Sequence, residues 1–128
     1  MSKWVLDASA LLALLFKEPG HDSVARAIGD GASISTVNLS EVVAKLSDVG
    51  MPTQTIHDAL DGLGIDVVDF NFEQAYRAGG LRVMTRPLGL SLGDRACLTV
   101  AEQLGLPAIT TDHAWERLTI GISVRVAR

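Results

Sequence analysis

Short apolar runs alternate with helical repeats along the whole chain. The apolar and β-branched runs, each bounded by polar or turn residues, predict five strands. These strands are Trp4–Leu6, Ala32–Ser35, Ile65–Phe70, Ala108–Thr110 and Ile122–Val126. Between them, apolar residues recur with the spacing of one helical face. Strands that alternate with helices favour an α/β fold in which helices cover both faces of a mainly parallel sheet.

The helical repeats predict seven helices, most of which end at a glycine. Pro52 suits the first turn of the fourth helix. The predicted helices are Leu11–Phe16, His21–Ile28, Leu39–Val49, the helix that follows Pro52, Phe72–Ala78, Asp94–Leu104 and a short helix near Trp115.

The helix that begins at Asp94 carries a carboxylate at the head of its apolar face. That face continues with Cys97, Leu98, Ala101 and Leu104. The opposite face, which we expect to be exposed to solvent, holds Arg95, Thr99, Glu102 and Gln103. Two explanations of Asp94 are open. It closes a capping box with Ser91, or it points into a cleft and binds a cation.

Three further acids stand near the carboxyl ends of predicted strands. Asp7 follows the first strand, Glu41 comes soon after the second, and Asp112 follows the fourth. Ligands of parallel sheets bind at this edge. Each acid alone is compatible with a helix cap, and Asn38 with Glu41 matches a capping box. Four carboxylates at one edge repel each other unless they are neutralised, however, and such oxygen ligands suit Mg²⁺ or Mn²⁺.

Composition narrows the class of protein. The 128 residues, 48% of them apolar and 20% charged, predict one globular domain over 1–128. No apolar run is long enough for a membrane span, and the single cysteine, Cys97, excludes an intrachain disulfide and suits the cytoplasm. The net charge of −4 argues against a nucleic-acid partner. Two divalent cations bound to the acids would bring that charge to zero.

With these acids, the sequence resembles the PIN-domain ribonucleases, and among them the VapC-type toxins of bacterial toxin–antitoxin pairs. The segments that carry the resemblance are "LDASALLALL", "NLSEVV", "LSLGDRACLTVAEQLGLP" and "ITTDHAW", in this order over nearly the whole chain. The resemblance implies a three-layer α/β/α PIN-like fold and metal-dependent cleavage of RNA. It also implies inhibition by a cognate antitoxin and assembly as a homodimer.

The resemblance further implies roles for individual residues. Asp7, Glu41, Asp94 and Asp112 would form an acidic quartet that holds Mg²⁺ or Mn²⁺, with Asp7 and Asp94 as the principal ligands. Ser9 and Thr110 fall where the family places small polar side chains near the site. Hydrolysis of the phosphodiester would use a metal-activated water. The cations that we expect to contact RNA are Lys45, Arg82, Arg86 and Arg95.

Two other classes of function remain as alternatives. In a non-catalytic PIN-like or flavodoxin-like interaction module, the acids would only cap helices. An aspartyl-phosphate phosphohydrolase would need a second aspartate two residues after Asp7, where this chain has Ser9.

An apolar cluster in the first helix also has two interpretations. It either forms a groove for a segment of the antitoxin or is buried in the chain's own core. Its members are Leu11, Leu12, Leu14, Leu15 and Phe16.

Overall fold

Five strands form one parallel sheet in the computed structural model, which describes residues 1–128. They are β1 (Trp4–Leu6), β2 (Ala32–Ser35), β3 (Asp66–Val68), β4 (Ala108–Thr110) and β5 (Val124–Val126). Their order across the sheet is β3-β2-β1-β4-β5. The chain therefore adds β2 and β3 on one side of β1 and then β4 and β5 on its other side. The first strand in the sequence is the central strand of the sheet.

Seven α-helices connect the strands. They are α1 (Ala8–Leu15), α2 (His21–Asp30), α3 (Thr36–Asp48), α4 (Thr53–Asp61), α5 (Phe72–Gly80), α6 (Arg82–Thr85) and α7 (Leu92–Leu104). Two 3₁₀ segments, Arg86–Leu88 and His113–Arg117, complete the regular structure. None of the helices has both the length and the apolar character that a membrane span requires.

The central strand β1 sends successive side chains to opposite faces of the sheet, as the pleat of a strand requires. Val5 packs in one buried cluster with Leu98 of α7. Leu6 packs in a second buried cluster with Ala10 of α1 and Val24 of α2. The sheet therefore has helices on both faces, which confirms the three-layer α/β/α fold and the parallel sheet.

Several helix boundaries differ from the predicted ones for local reasons. Helix α1 begins at Ala8 rather than at Leu11, because the Asp7 side chain accepts a hydrogen bond from the Ala10 N–H and caps the helix. Pro52 is the N-cap of α4 and not a residue of its first turn. Residues 82–88, which belong to none of the predicted strands or helices, form α6 and a 3₁₀ segment.

Helix α7 is buried on almost every side, and the prediction of an exposed face is wrong for Arg95 and Thr99. The two residues are 8% and 0% exposed. The helix contacts the sheet and also α3 and α5, so solvent reaches only its first and last turns. Leu104 in that turn, predicted to continue the apolar face, is exposed. The Arg95 guanidinium points inward and donates from Nη1 to the carbonyl oxygen of Ala78 at the end of α5, at 2.9 Å.

Candidate functional site

The strand order reverses between β1 and β4, which is where ligands bind in open parallel sheets. Asp7 follows β1 and Thr110 ends β4. Helix α7 precedes β4 and returns the chain to the opposite edge, so its first turn, with Asp94, starts at the carboxyl edge of the sheet. Helix α3 starts directly after β2 and carries Glu41 in its second turn. The topology therefore directs three of the four predicted acids to one place.

Asp7 is a buried carboxylate at this crevice. It is only 3% exposed. Its Oδ1 accepts hydrogen bonds from the Ala10 N–H and from the Ser9 hydroxyl, both at 2.8 Å. Its Oδ2 accepts a hydrogen bond of 2.6 Å from the Thr110 hydroxyl. A helix cap needs only the Ala10 bond, so capping alone does not explain why both oxygens are buried and bound.

Burial raises the pKa of Asp7 to about 6. That value already includes the hydrogen bonds from Thr110, the Ala10 N–H and Ser9, which lower the pKa, and the negative charge of Asp94, which raises it. Asp7 is therefore a carboxylate whose charge is costly in the folded protein, and the surrounding donors offset only part of that cost. Perturbed acids in clefts are frequent at functional sites.

The hydroxyls of Ser9 and Thr110 link Asp7 to the loop after β4. Each hydroxyl has one proton and donates it to Asp7. Each can then only accept from its other neighbour. Ser9 Oγ accepts the Thr111 N–H at 3.0 Å, and Thr110 Oγ1 accepts the Asp112 N–H at 3.1 Å. The backbone of the β4 loop thus orients both hydroxyls towards Asp7.

Asp94 caps its own helix and still faces the crevice. Ser91 Oγ accepts the Asp94 N–H at 3.2 Å, and Asp94 Oδ2 accepts the Ser91 N–H at 2.9 Å, which is a complete capping box. The other carboxylate oxygen, Oδ1, accepts no hydrogen bond within the protein. The capping explanation is therefore correct, and it leaves one oxygen of Asp94 available to a ligand.

Glu41 does not cap a helix, so the predicted capping box with Asn38 is wrong. The N-cap of α3 is Ser35, and Asn38 lies inside the helix. The Asn38 side chain donates from Nδ2 to Glu41 Oε1 at 2.9 Å. The Glu41 carboxylate rests against Gly93 of α7, where a Cβ would lie 2.6 Å from its carboxyl carbon. Glu41 therefore crosses from α3 to the start of α7, beside Asp94.

Cys97 lies within the electrostatic influence of three of the acids. Burial, followed by the charges of Asp7, Asp94 and Glu41, raises the pKa of its thiol well above the ordinary value. Cys97 lies one turn after Asp94 and is fully buried. The charges of the three carboxylates therefore act together on the Cys97 thiol.

Asp112 stands apart from the other three acids. Its side chain is exposed, and Oδ1 accepts the Ala114 N–H at 2.9 Å as the cap of the second 3₁₀ segment. Its charge is not among those that raise the pKa of Asp7 or Cys97. The connection of Asp112 to the site runs through its backbone, which donates to Thr110.

The types of these residues suit a divalent cation. Their present arrangement does not bring them close enough together to hold one. No three His, Cys, Asp or Glu side chains converge closely enough to hold an ion. However, none of the four acids forms a salt bridge with a lysine or arginine. Asp7, Glu41 and Asp94 are thus carboxylates that act on one point with no cation to balance them. Oxygen ligands of this kind match Mg²⁺ and Mn²⁺.

Three of the four cations predicted to contact RNA are available at the surface. Lys45, Arg82 and Arg86 are exposed. Arg95 is not, because its guanidinium is bound to the end of α5, and we therefore withdraw it as an RNA contact.

Two residues near the acids were missed by the sequence reasoning. Asn38 was interpreted only as part of a capping box, although its position one turn before Glu41 places both on one helix face. Gly93 received no role. A glycine inside a helix is unfavourable, and its presence in the first turns of α7 was a signal of close approach by another group.

The apolar cluster of the first helix is mostly part of the core. Leu11 is fully buried, whereas Phe16 is 43% exposed. Leu11 also lines a cavity of about 380 Å³ between α3, α4 and β3. Leu39 and Val43 of α3 are further apolar residues of this cavity.

Comparisons with known proteins agree with this architecture. The PIN domain family model matches residues 4–120. The comparison with curated proteins gives no match. Among solved structures, the chain is similar to DNA-bound VapBC from Salmonella typhimurium, with a TM-score of 0.76, 19% identity and 100% of each chain covered.

Two further structures share the fold. A toxin–antitoxin complex from Klebsiella pneumoniae gives a TM-score of 0.72 at 19% identity, with 97% of each chain covered. A sarcin-ricin loop cleaving VapC toxin from Mycobacterium tuberculosis gives 0.72 at 18% identity, covering 88% of this chain and 92% of that one.

Proposed function

Since this chain belongs to the PIN domain family, as the match over residues 4–120 shows, we propose that it is a metal-dependent endoribonuclease and the toxin of a VapC-type toxin–antitoxin pair. The observation that carries the proposal is the state of Asp7. It is a buried carboxylate with a raised pKa at the switch point of the sheet, near the charge of Asp94 and without a balancing cation. Such a group is destabilising unless it has a ligand.

Asp7, Asp94 and Glu41 hold Mg²⁺ or Mn²⁺ in this proposal, and Asp112 completes the quartet from the β4 side. Such an ion, when bound, would supply an activated water and would neutralise the charge that builds on the phosphate. Ser9 and Thr110 keep Asp7 oriented and ionised through their hydrogen bonds. The capping box fixes Asp94 while it leaves Oδ1 available.

The exposed cations beside the acids bind the RNA backbone. Lys45 lies one turn after Glu41 on α3, and Arg82 and Arg86 lie on the segment that leads into α7. Their charges attract phosphates, which the acids alone would repel. The selection of one RNA then rests on shape and on single-stranded bases.

The partner that we propose is a cognate antitoxin with an apolar segment. The cavity between α3, α4 and β3 is lined mainly by hydrophobic side chains and opens beside the helix that carries Glu41. A segment bound there would contact α3, the helix that carries Glu41. We propose as well that the toxin is a homodimer and acts in the cytoplasm, where its RNA substrate is.

The interaction-module alternative has one observation in its favour. Asp7, Asp94 and Asp112 each cap a helix. Glu41 caps nothing, however, and Asp7 is bound by more donors than a cap requires. The aspartyl-phosphate alternative lacks the second aspartate that it needs two residues after Asp7, where this chain has Ser9.

The test is RNA cleavage by the purified protein without its antitoxin. We expect cleavage of structured RNA, with a ribosomal sarcin-ricin stem-loop and transfer RNA as the first substrates, in Mg²⁺ or Mn²⁺ and none in EDTA. Asp94→Asn should abolish cleavage. Glu73→Gln, which alters an exposed acid in the first turn of α5, should cleave like the wild type. Inactivity of the wild type on all of these RNAs in both metals would favour the interaction module.

A further inference from the structure

Asn38 connects the two elements that carry Glu41 and Asp94. It lies on α3, is 1% exposed, and donates both protons of its side-chain amide. One proton goes to Glu41 Oε1 and the other to the carbonyl oxygen of Gly93, each at 2.9 Å. The Gly93 carbonyl belongs to the peptide bond that leads to Asp94. One amide therefore binds the carboxylate of one acid and the backbone of the other.

The orientation of this amide is fixed by its surroundings. Both neighbours of Nδ2 are acceptors, so a rotation that exchanged Oδ1 and Nδ2 would place an oxygen against a carboxylate and a carbonyl. In the observed orientation, Asn38 Oδ1 is buried and has no hydrogen-bond partner. A buried acceptor without a partner carries a free-energy cost. This unfavourable group belongs to the residue that connects two candidate ligands, Glu41 and Asp94.

Gly93 makes the same contact possible from the other side. The Glu41 carboxylate occupies the space that a Cβ at position 93 would take. Gly93 is buried within α7 and has no left-handed backbone to explain a glycine there. Its lack of a side chain serves the approach of Glu41 to the first turn of α7.

From these contacts we infer that Asn38 is a positioning residue of the acidic site. The absence of a side chain at Gly93 provides the space that the Glu41 carboxylate needs. Asn38 holds Glu41 beside Asp94, so that carboxylates from α3 and α7 meet at a fixed separation. Asn38 binds no ion itself and acts through Glu41. This inference rests on the proposed function, because the positioning serves the binding of a cation.

The experiment measures Mn²⁺ affinity by calorimetry for the wild type, Asn38→Ala, Gly93→Ala and Glu41→Ala, and for each of the first two changes combined with Glu41→Ala. Loss of a group that orients a metal ligand costs roughly 10–100-fold in affinity. We expect Asn38→Ala and Gly93→Ala each to raise the Kd for Mn²⁺ about 10-fold. In the Glu41→Ala background, neither change should raise it further, because the group that they position is already absent.

Gly93→Ala distinguishes a loss of Mn²⁺ binding from a loss of folding. Its new Cβ meets the mobile end of the Glu41 side chain rather than backbone, and alanine favours a helix more than glycine does. Its melting temperature should therefore equal or exceed that of the wild type while Mn²⁺ affinity falls. Asn71→Ala is the matched control, because the Asn71 side chain also makes a hydrogen bond, but it accepts this bond from the Gln74 N–H as the N-cap of α5 and binds none of the acids. It should bind Mn²⁺ like the wild type.

A second readout needs neither metal nor activity. The side-chain amide signals of Asn38, assigned by their loss in Asn38→Ala, should move in the ¹⁵N–¹H spectrum of the metal-free Glu41→Ala protein and stay in place in Asn71→Ala. Unmoved signals would overturn the inference, as would Asn38→Ala binding Mn²⁺ like the wild type or lowering affinity equally with and without Glu41. If the wild type bound no Mn²⁺ and cut no RNA, the proposed function would fail. The amide signals would then still show whether Asn38 holds Glu41.

Discussion

Replacing Asp7 by asparagine should stabilise the metal-free protein at neutral pH. The pKa of Asp7 rises from 3.8 to about 6 on folding, mainly through burial. The folded state therefore prefers the protonated acid, and its stability falls as the pH rises from about 4 to about 6. A shift of about two pKa units corresponds to about 3 kcal/mol. That is the cost of keeping Asp7 charged inside the folded protein.

Asparagine can keep much of the local structure. Its carbonyl oxygen can accept from the Ala10 N–H and from Ser9, as Oδ1 of Asp7 does. Its amide group can donate to Thr110 Oγ1, which reverses that hydrogen bond. Since some hydrogen-bond energy is lost in this exchange, we expect Asp7→Asn to gain about 1–3 kcal/mol in unfolding free energy at pH 7.5. Below about pH 4, the two proteins should be equally stable.

The assay is urea unfolding followed by circular dichroism in EDTA, for both proteins, from pH 4 to pH 7.5. The difference between them isolates Asp7, because all other titrating groups are shared. Thr110→Val gives the opposite perturbation, since it removes a hydrogen bond that lowers the pKa of Asp7, and it should extend the loss of stability to higher pH. A difference between Asp7→Asn and the wild type that stayed constant across this range would refute the reasoning.

Four other substitutions test three separate parts of the structure. Asp94→Asn should leave the metal-free protein about as stable as the wild type, because relief of charge repulsion offsets a weakened helix cap. Thermal melts in EDTA and in Mg²⁺ should show that the ion stabilises only the wild type. Arg95→Ala should cost about 2–3 kcal/mol in urea unfolding, since it breaks a buried, charged hydrogen bond to Ala78, and a loss below about 0.5 kcal/mol would contradict the inward role of Arg95. Arg82→Ala and Arg86→Ala should change stability by less than about 0.5 kcal/mol, while RNA affinity weakens and its dependence on salt decreases by about one charge each; unchanged binding would remove them from the RNA surface.

The strands near the site were predictable because local signals and packing agree there. The predicted bounds of β1, β2 and β4 match the structure, and each is a short run, largely or entirely buried, with a polar or capping residue at its end. The edge strands are shorter than predicted. Asp66 and Val67 of β3 are exposed, so burial does not extend that strand to the full length of the β-branched run.

Chain direction predicted that Asp7 and Glu41 lie near the same edge, since each follows a strand of the parallel sheet, but it placed Asp112 there as well, and the Asp112 side chain stands apart. The environment of Arg95 did not follow, because a helical face looks exposed in the sequence when a second layer of helices will cover it. Asn38 was misjudged for a related reason. Its partner Gly93 lies 55 residues away in the sequence, so no local sequence pattern could reveal their contact.

The hydrogen bond between Asp7 and Thr110 joins residues that are 103 positions apart, and this separation has a consequence for the order in which the protein is made. A ribosome adding about 5–20 residues per second needs about 5–20 s to cover that interval. During this time Asp7 lacks both the Thr110 hydroxyl and the neighbouring strand β4, and it remains hydrated. The centre that we propose cuts RNA is therefore among the last parts of the chain to be completed, while the newly made protein is still beside ribosomal RNA.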